Sequence, residues 1–290
     1  MSEERMSLPG VAVGHWTHHE AQTGCTVIRL PEGSVGAVEI RGGAPASREL
    51  DVLSVDKTVA QIDAVLLTGG SAFGLAAADG VMQYLEEQGR GVPAPAGVVP
   101  IVPALGLYDL AVGQAVTRPE AKHGYLAARD ATEGVVVTGA MGAGTGAYAG
   151  NWRGAAGHYP GGIVYAERRY HDVVVGALFA VNAFGDVGES TADTASVLAA
   201  LTAMEPGAKT PRSNTTIGVV LTNARLDKVA CHVVAQGGHD GLARALHPPH
   251  TRFDGDAVIA ASVGEVSAHV DVVRLLAVQA ANAAIRQVER

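Results

Sequence analysis

The stretch Ser213-Asn214-Thr215-Thr216-Ile217-Gly218-Val219-Val220 joins two segments of opposite character. Upstream, residues 205–213 are polar and carry Pro206, Gly207 and Pro211, a composition that favours an irregular tether. Downstream, residues 216–222 are apolar on successive positions, which predicts a strand buried on both faces. Thr215 therefore opens a buried strand behind a tether, a placement that suits an N-terminal nucleophile. Its hydroxyl would attack the carbonyl carbon of Asn214, an N-to-O acyl shift would give an ester, and water would cut it. The freed Thr215 would carry its own base, because an α-amine titrates near about 7.7–8.0. Cleavage there leaves chains of 214 and 76 residues. Asn-Thr at a strand start also reads as a turn followed by a β-branched residue, and this segment alone leaves both readings open.

Working outward, strand character recurs over residues 26–30, 34–40, 64–67, 134–138 and 173–181. Helical spacing predicts helices over 71–88, 197–204, 226–246 and 265–288. The first carries Leu75, Ala78, Met82 and Leu85 on one face, and the last carries Val266, Val270, Val273, Ala277, Ala280 and Ala284. Residues 93–103, with four prolines, read as a loop and not a domain linker. Most strands are apolar throughout, so the expected architecture is α/β: sheets covered by helices in a single domain spanning residues 1–290.

Composition narrows the function classes. The chain has 290 residues, 48% hydrophobic and 17% charged, ample for a large core and unlike a disordered protein. A net charge of −8 without a basic cluster argues against nucleic acid and anionic membrane surfaces as partners. The first ten residues lack a signal-peptide pattern, and the longest apolar run, near residues 173–181, is far short of a membrane span. The expected location is cytoplasmic. Cys25 and Cys231 read as small buried hydrophobes and form no disulfide framework.

Four further stretches bear on chemistry. Phe253-Asp254-Gly255-Asp256 places two carboxylates around a glycine, able to orient the Thr215 amine and hydroxyl; an exposed Asp-Gly turn is the competing reading. Thr68-Gly69-Gly70-Ser71 precedes a helix, and the N–H groups of Gly69, Gly70 and Ser71 could hold a carboxylate or an oxyanion; a tight strand-to-helix turn explains it equally well. Asn182 ends an apolar strand, where an amide either caps a turn or donates to a developing oxyanion. Residues 142–147, Gly-Ala-Gly-Thr-Gly-Ala, lack the Lys-Ser/Thr of a phosphate loop, so nucleotide binding is set aside. His15, His18 and His19 have no accompanying ligand cluster, so no metal is expected, and His239, His247 and His250 read as solvated.

Taken together and in order, these stretches resemble the DmpA-like aminopeptidases, the family that includes β-aminopeptidases and nylon-oligomer hydrolases. The match begins with Val13-Gly14-His15-Trp16-Thr17 and Thr23-Gly24-Cys25-Thr26-Val27. It continues through Leu67-Thr68-Gly69-Gly70-Ser71-Ala72-Phe73-Gly74-Leu75, Val102-Pro103 and Tyr108-Asp109-Leu110 to Val181-Asn182, residues 214–219 and residues 253–256. The resemblance implies an αββα N-terminal-nucleophile-like fold shared with ornithine acetyltransferases, self-cleavage before Thr215, and homo-oligomers, commonly tetramers. It implies Thr215 as nucleophile, Asn182 as oxyanion donor, Asp254 and Asp256 as the acidic pair, and Tyr108 as the active-site tyrosine. It implies no cofactor and a small peptide or amide substrate, including ω-amino-acid (6-aminohexanoate) oligomers.

One position departs from the family. Where relatives often carry Gly-x-x-Lys-Gly-Gly, this chain has Gly150-Asn151-Trp152-Arg153-Gly154-Ala155. Arg153 keeps the charge but cannot give up a proton, so its expected role is electrostatic. Two rival readings follow: acyl transfer to an amine through the same nucleophile, and an uncleaved ligand-binding protein on the same fold.

Overall fold

The computed structural model describes residues 1–188, 194–203 and 214–289. The expected tether over 205–213, and Met204 at the end of the helix expected over 197–204, lie outside the described residues. In chain order the principal strands are β1 (Ala12–His18), β2 (Thr23–Arg29), β3 (Val35–Ile40), β4 (Ala46–Arg48), β5 (Ala64–Thr68), β6 (Ala104–Gly106), β7 (Thr132–Glu133), β8 (Gly162–Tyr170), β9 (Val173–Asn182), β10 (Thr215–Ala224) and β11 (Ala257–Val266). The principal helices are α1 (Ala77–Glu87), α2 (Ala121–Arg129), α3 (Thr194–Ala203), α4 (Lys228–Ala245) and α5 (Val270–Ile285).

The strands form a six-stranded sheet in the order β7-β1-β2-β5-β6-β4 and a five-stranded sheet in the order β8-β9-β10-β11-β3. Three apolar clusters hold these elements together. The first draws Val13, Ile28, Val65, Leu67 and Leu105 from the first sheet and Leu178, Ala180, Ile217, Val219 and Ile259 from the second. The opposite face of the second sheet, with Phe179, Val181, Val220 and Val258, packs on Val234, Leu242, Val273 and Ala277 of α4 and α5. Cys25, Val27 and Leu66 pack on Ala78, Val81 and Ala127 of α1 and α2. The two-residue period of a strand explains the division: along β10, Ile217, Val219 and Leu221 face the first sheet while Val220 faces the helices. Cys25 and Cys231 are both buried and unpaired. Among the described residues no helix is long and apolar enough to cross a membrane.

Topology decides where distant residues meet. β9 runs antiparallel to β10, and β10 runs parallel to β11. A parallel pair needs a crossover connection, which α4 supplies. The end of β9 and the beginnings of β10 and β11 therefore lie at one edge of the sheet. There Asn182 stands opposite Thr215, and Asn214 bridges Asp254.

Several elements differ from the sequence expectation. The helix expected over 265–288 starts only at Val270, because β11 continues to Val266, which pairs with Ala224. The helix expected over 71–88 is two pieces, Ser71–Gly74 and Ala77–Glu87. The proline-rich loop contains a short hairpin, Val92–Ala94 with Gly97–Val99. β1, β8, β11 and α2 were not anticipated; β8 hides its pattern because it ends on the polar, partly exposed run Glu167-Arg168-Arg169.

Gly218 shows how tightly the central strand is packed. It stands opposite Phe179, and a Cβ there would fall 2.2 Å from the ring's Cδ1. Gly218→Ala should lower the unfolding free energy by about 1–3 kcal/mol through this clash. An unchanged denaturation midpoint would show that the ring yields freely.

Candidate active site

Thr215 is 4% exposed at the first position of β10, on the face shared with Ile217 and Val219. Its hydroxyl donates a very short hydrogen bond to the carbonyl oxygen of Asn214, the residue before it. The Gly255 N–H points at both atoms, 3.3 Å from Thr215 Oγ1 and 3.3 Å from the Asn214 oxygen. A hydroxyl, the carbonyl it would attack and a backbone donor able to accept the developing negative charge are thus assembled on one peptide bond. Among the described residues the Asn214 side-chain oxygen is buried without a hydrogen-bond partner.

Asp254 and Asp256 are 2% and 1% exposed, so the reading of this stretch as an exposed turn does not hold. The two carboxylates brace different neighbours. Asp254 accepts from Phe184 N at 3.3 Å, from Thr251 N at 3.0 Å, and from the Thr251 hydroxyl in a very short bond. Asp256 Oδ1 accepts from Thr216 N at 2.7 Å, while Oδ2 lies 2.8 Å from His250 Nδ1 and accepts from His250 N at 3.2 Å. Burial, aided by the nearby Asp256, pushes the Asp254 carboxyl up to about 7. Burial thus favours the protonated form of this carboxyl.

Asn182 closes β9 with its amide oriented at both ends: Oδ1 accepts from Tyr148 N at 3.0 Å, and Nδ2 donates to Tyr108 O at 3.1 Å. Asn182, Tyr108 and Asn214 line a cavity of about 380 Å³. Its walls include Ala111, Val112, Trp152, Ala155, and Ala200 and Ala203 of α3, with the Tyr148 and His158 rings stacked at 4.1 Å. Neither Asp254 nor Asp256 is among the lining residues. Arg153 is not either: its guanidinium forks onto Asp186 at 2.9 and 2.7 Å and lies 4.2 Å over the Trp152 ring. It supports the cavity wall from behind.

Two sequence expectations need correction. The N–H groups of Gly69, Gly70 and Ser71 are spent on the fold, donating to Gly24 O, Asp109 Oδ1 and Leu107 O at 2.8, 2.7 and 2.9 Å. The carboxyl at this helix start is the chain's own buried Asp109, also held by the Thr23 hydroxyl at 2.6 Å; its burial favours the protonated form. Of His239, His247 and His250, only His247 is exposed. His239 is wholly buried, with Nε2 2.8 Å from Glu39 O, and burial pushes its pKa down to about 4. His250 is mostly buried against Asp256. Sequence reasoning missed it because its ligand-like contact depends on a loop returning to the strand edge. His15 bonds Thr26 Oγ1 at 2.9 Å, and among the described residues no group of three His, Cys, Asp or Glu is placed to hold a metal.

The raised Asp254 pKa has a sign that can be checked. The group binds its proton more tightly folded than unfolded, where its ordinary value is near 3.8. Its contribution to stability is full below that value and is lost as pH rises through about 7. The stability of the wild type relative to Asp254→Asn should therefore fall between pH 4 and pH 8, measured by denaturant titration with Thr215→Ala in both chains. A difference that rises or stays flat over this range would contradict the assignment.

The model of peptidase family S58 matches residues 6–290. An uncharacterized aminopeptidase of Mycobacterium leprae (strain TN) is 43% identical over 294 residues, covering 90% of this chain and 78% of its own length. A 6-aminohexanoate-oligomer endohydrolase of Paenarthrobacter ureafaciens is 29% identical over 280 residues, covering 90% and 75%. Among solved structures, the L-aminopeptidase D-Ala-esterase/amidase of Ochrobactrum anthropi, described as a variant of the Ntn hydrolase fold, superposes with a TM-score of 0.72 at 18% identity, covering 96% of this chain and 83% of that one. The chain belongs to peptidase family S58 and has the fold of an Ntn-hydrolase-fold aminopeptidase.

Proposed function

We propose that this chain cuts itself between Asn214 and Thr215 into chains of 214 and 76 residues, and that the freed Thr215 hydrolyses amide bonds of small peptides or amino-acid amides. The observation that carries this reading is the Thr215 hydroxyl lying against its own preceding carbonyl, with the Gly255 N–H aimed at both. Thr215 Oγ1 bonds to the Asn214 carbonyl carbon as its proton leaves. The C–N bond then breaks as the nitrogen gains a proton. Water adds to the resulting ester, releasing the Asn214 carboxylate and a Thr215 with free hydroxyl and α-amine. Asp254, whose backbone bridges Asn214 and whose carboxyl burial pushes toward the protonated form, is the proposed participant in that proton transfer.

In turnover the Thr215 amine takes the hydroxyl proton and returns it to the leaving amine, through an acyl-threonine intermediate. Asn182 is the proposed oxyanion donor: it lines the cavity, and its contacts to Tyr148 and Tyr108 fix which end carries the N–H bonds. Tyr108 shares that wall, while Asp256 pins the strand start through Thr216 N. The apolar walls support an uncharged acyl chain, and the methylene chain of an ω-amino-acid oligomer such as 6-aminohexanoate has this character. The αββα layering of the DmpA and ornithine-acetyltransferase type belongs to the same reading, supported by the three apolar clusters. Cleaved protomers are expected to assemble as homo-oligomers, which native mass measurement reads.

Thr215→Ala should remain one chain of 290 residues on a denaturing gel and hydrolyse no aminoacyl amide, β-peptide or nylon oligomer. A Thr215→Ala protein that still splits at this bond would refute the nucleophile. Asn182→Ala should lower kcat by about 10²–10³-fold with a smaller change in KM. A pure rise in KM would instead assign Asn182 to ground-state binding.

A further inference from the structure

The Asn182 amide hangs between two backbone groups, the Tyr148 N–H at 3.0 Å and the Tyr108 carbonyl at 3.1 Å. Its direction is therefore set by whatever fixes those two peptides, and both trace back to one buried carboxyl. Asp109, the residue after Tyr108, is 2% exposed, and its oxygens accept from Gly70 N at 2.7 Å and from the Thr23 hydroxyl at 2.6 Å. On the other side of Tyr108, Leu107 is fixed through its main chain: its N–H donates to Thr68 O at 2.8 Å, and its carbonyl accepts from Ser71 N at 2.9 Å. The Tyr108 carbonyl is thus clamped by both of its neighbours. The segment leading to Tyr148 packs on the same carboxyl-bearing side chain: a Cβ at Gly146 would fall 3.0 Å from Asp109 Cβ and 2.0 Å from Gln22 O. Gly69 is as close, since a Cβ there would fall 2.0 Å from Asp109 Oδ2 and 2.6 Å from Thr23 Oγ1. Asp109 fills the joint where the start of β2, the turn after β5 and the segments leading to Tyr108 and Tyr148 meet. It is not among the residues that line the cavity, so it reaches the site only through others.

We propose that Asp109 is a positioning residue: acting through Tyr108 and the Gly146 segment, it holds the Asn182 amide in the direction that an oxyanion donor requires. This deepens the function proposed above and rests on Thr215 being the nucleophile and Asn182 that donor. The joint needs a polar side chain, because an apolar one would leave the buried Gly70 N–H and Thr23 hydroxyl without this partner. It does not need a charge. Burial pushes the Asp109 carboxyl above the usual carboxylate range, so a neutral group of the same shape fits.

Two substitutions separate shape from loss of the anchor. Asp109→Ala empties the joint. Asp109→Asn keeps an acceptor for Gly70 N and offers an amide N–H to the Thr23 oxygen. With alanine p-nitroanilide as the probe, Asp109→Ala should lower kcat about 10–100-fold with KM within about threefold, and Asp109→Asn should restore kcat to within about threefold of wild type. The double variant decides between positioning and general support of the fold. Because Asp109 acts through Asn182, Asp109→Ala combined with Asn182→Ala should be within about twofold of Asn182→Ala alone. Losses that multiply, or a rise in KM alone, would overturn the proposal. If Asp109→Ala yields no folded protein, Thr23→Val removes one of the two hydrogen bonds and leaves the joint filled. It should lower kcat by about threefold or more in the wild type and by less than about twofold in Asn182→Ala, and an unchanged wild-type kcat would again overturn the proposal. A second measurement needs neither cleavage nor turnover. In Thr215→Ala labelled with ¹⁵N-asparagine, the Asn182 side-chain amide, assigned by its loss in Asn182→Ala, should give two sharp proton signals. These should broaden or shift in Asp109→Ala or Thr23→Val and return in Asp109→Asn. Signals that stay in place in the first two variants would defeat the positioning role. A wild-type chain that never splits, with the signals moving as stated, would defeat only the nucleophile reading.

Discussion

The parallel pairing of β10 with β11 is the constraint on which the site depends. Two strands that start at the same edge of a sheet bring their preceding loops together, whatever the length of chain between them. Here that places Asn214 and Thr215 beside Asp254 and Asp256, with the antiparallel β9 ending on Asn182 at the same edge. Remove the parallel register and these groups disperse across the molecule. The helix α4, which makes the crossover possible, also carries His239 back beneath the strand start, so one connection supplies both the geometry and part of its electrostatics.

Burial then sets the chemistry. Two carboxylates enclosed this fully are tolerated only because their oxygens are supplied with donors. The donors differ in kind. Asp254 receives two backbone N–H groups and a hydroxyl, whereas Asp256 faces two backbone N–H groups and an imidazole. Two chemically identical side chains, separated by one glycine, thereby acquire different environments. The cavity beside Asn214 is largely apolar and aromatic, with Asn182, Tyr108, Asn151 and His158 among its polar lining. Arg153 is not among the cavity's lining residues; it clamps Asp186 and braces Trp152, a role that suits its planar fork.

Local sequence and tertiary structure contributed different things. The apolar runs at 173–181 and 216–222 were legible because strands buried on both faces need no alternation, and the structure finds both as central strands. The end of β11 was misread as helix, since its Val266 fits a helical stripe as well as it fits the ladder opposite Ala224. Gly69-Gly70-Ser71 was legible as a strand-to-helix turn with donors to offer. What accepts the Gly70 N–H, Asp109, lies 39 residues away and is invisible to any local pattern.

By itself the sequence determined the elements: which runs must be buried, where the chain must turn, and that a hydroxyl residue opens a buried strand with a carboxylate pair further on. Only the tertiary structure decided which groups share a space. It folded Gly255 against the Asn214–Thr215 peptide, turned His250 onto Asp256, and buried His239 where a polar residue on a glycine-rich helix had looked solvated. The physical reason is that periodicity and propensity are properties of neighbours along the chain. Desolvation and charge pairing are properties of neighbours in space, and these exist only once the sheet edge has formed.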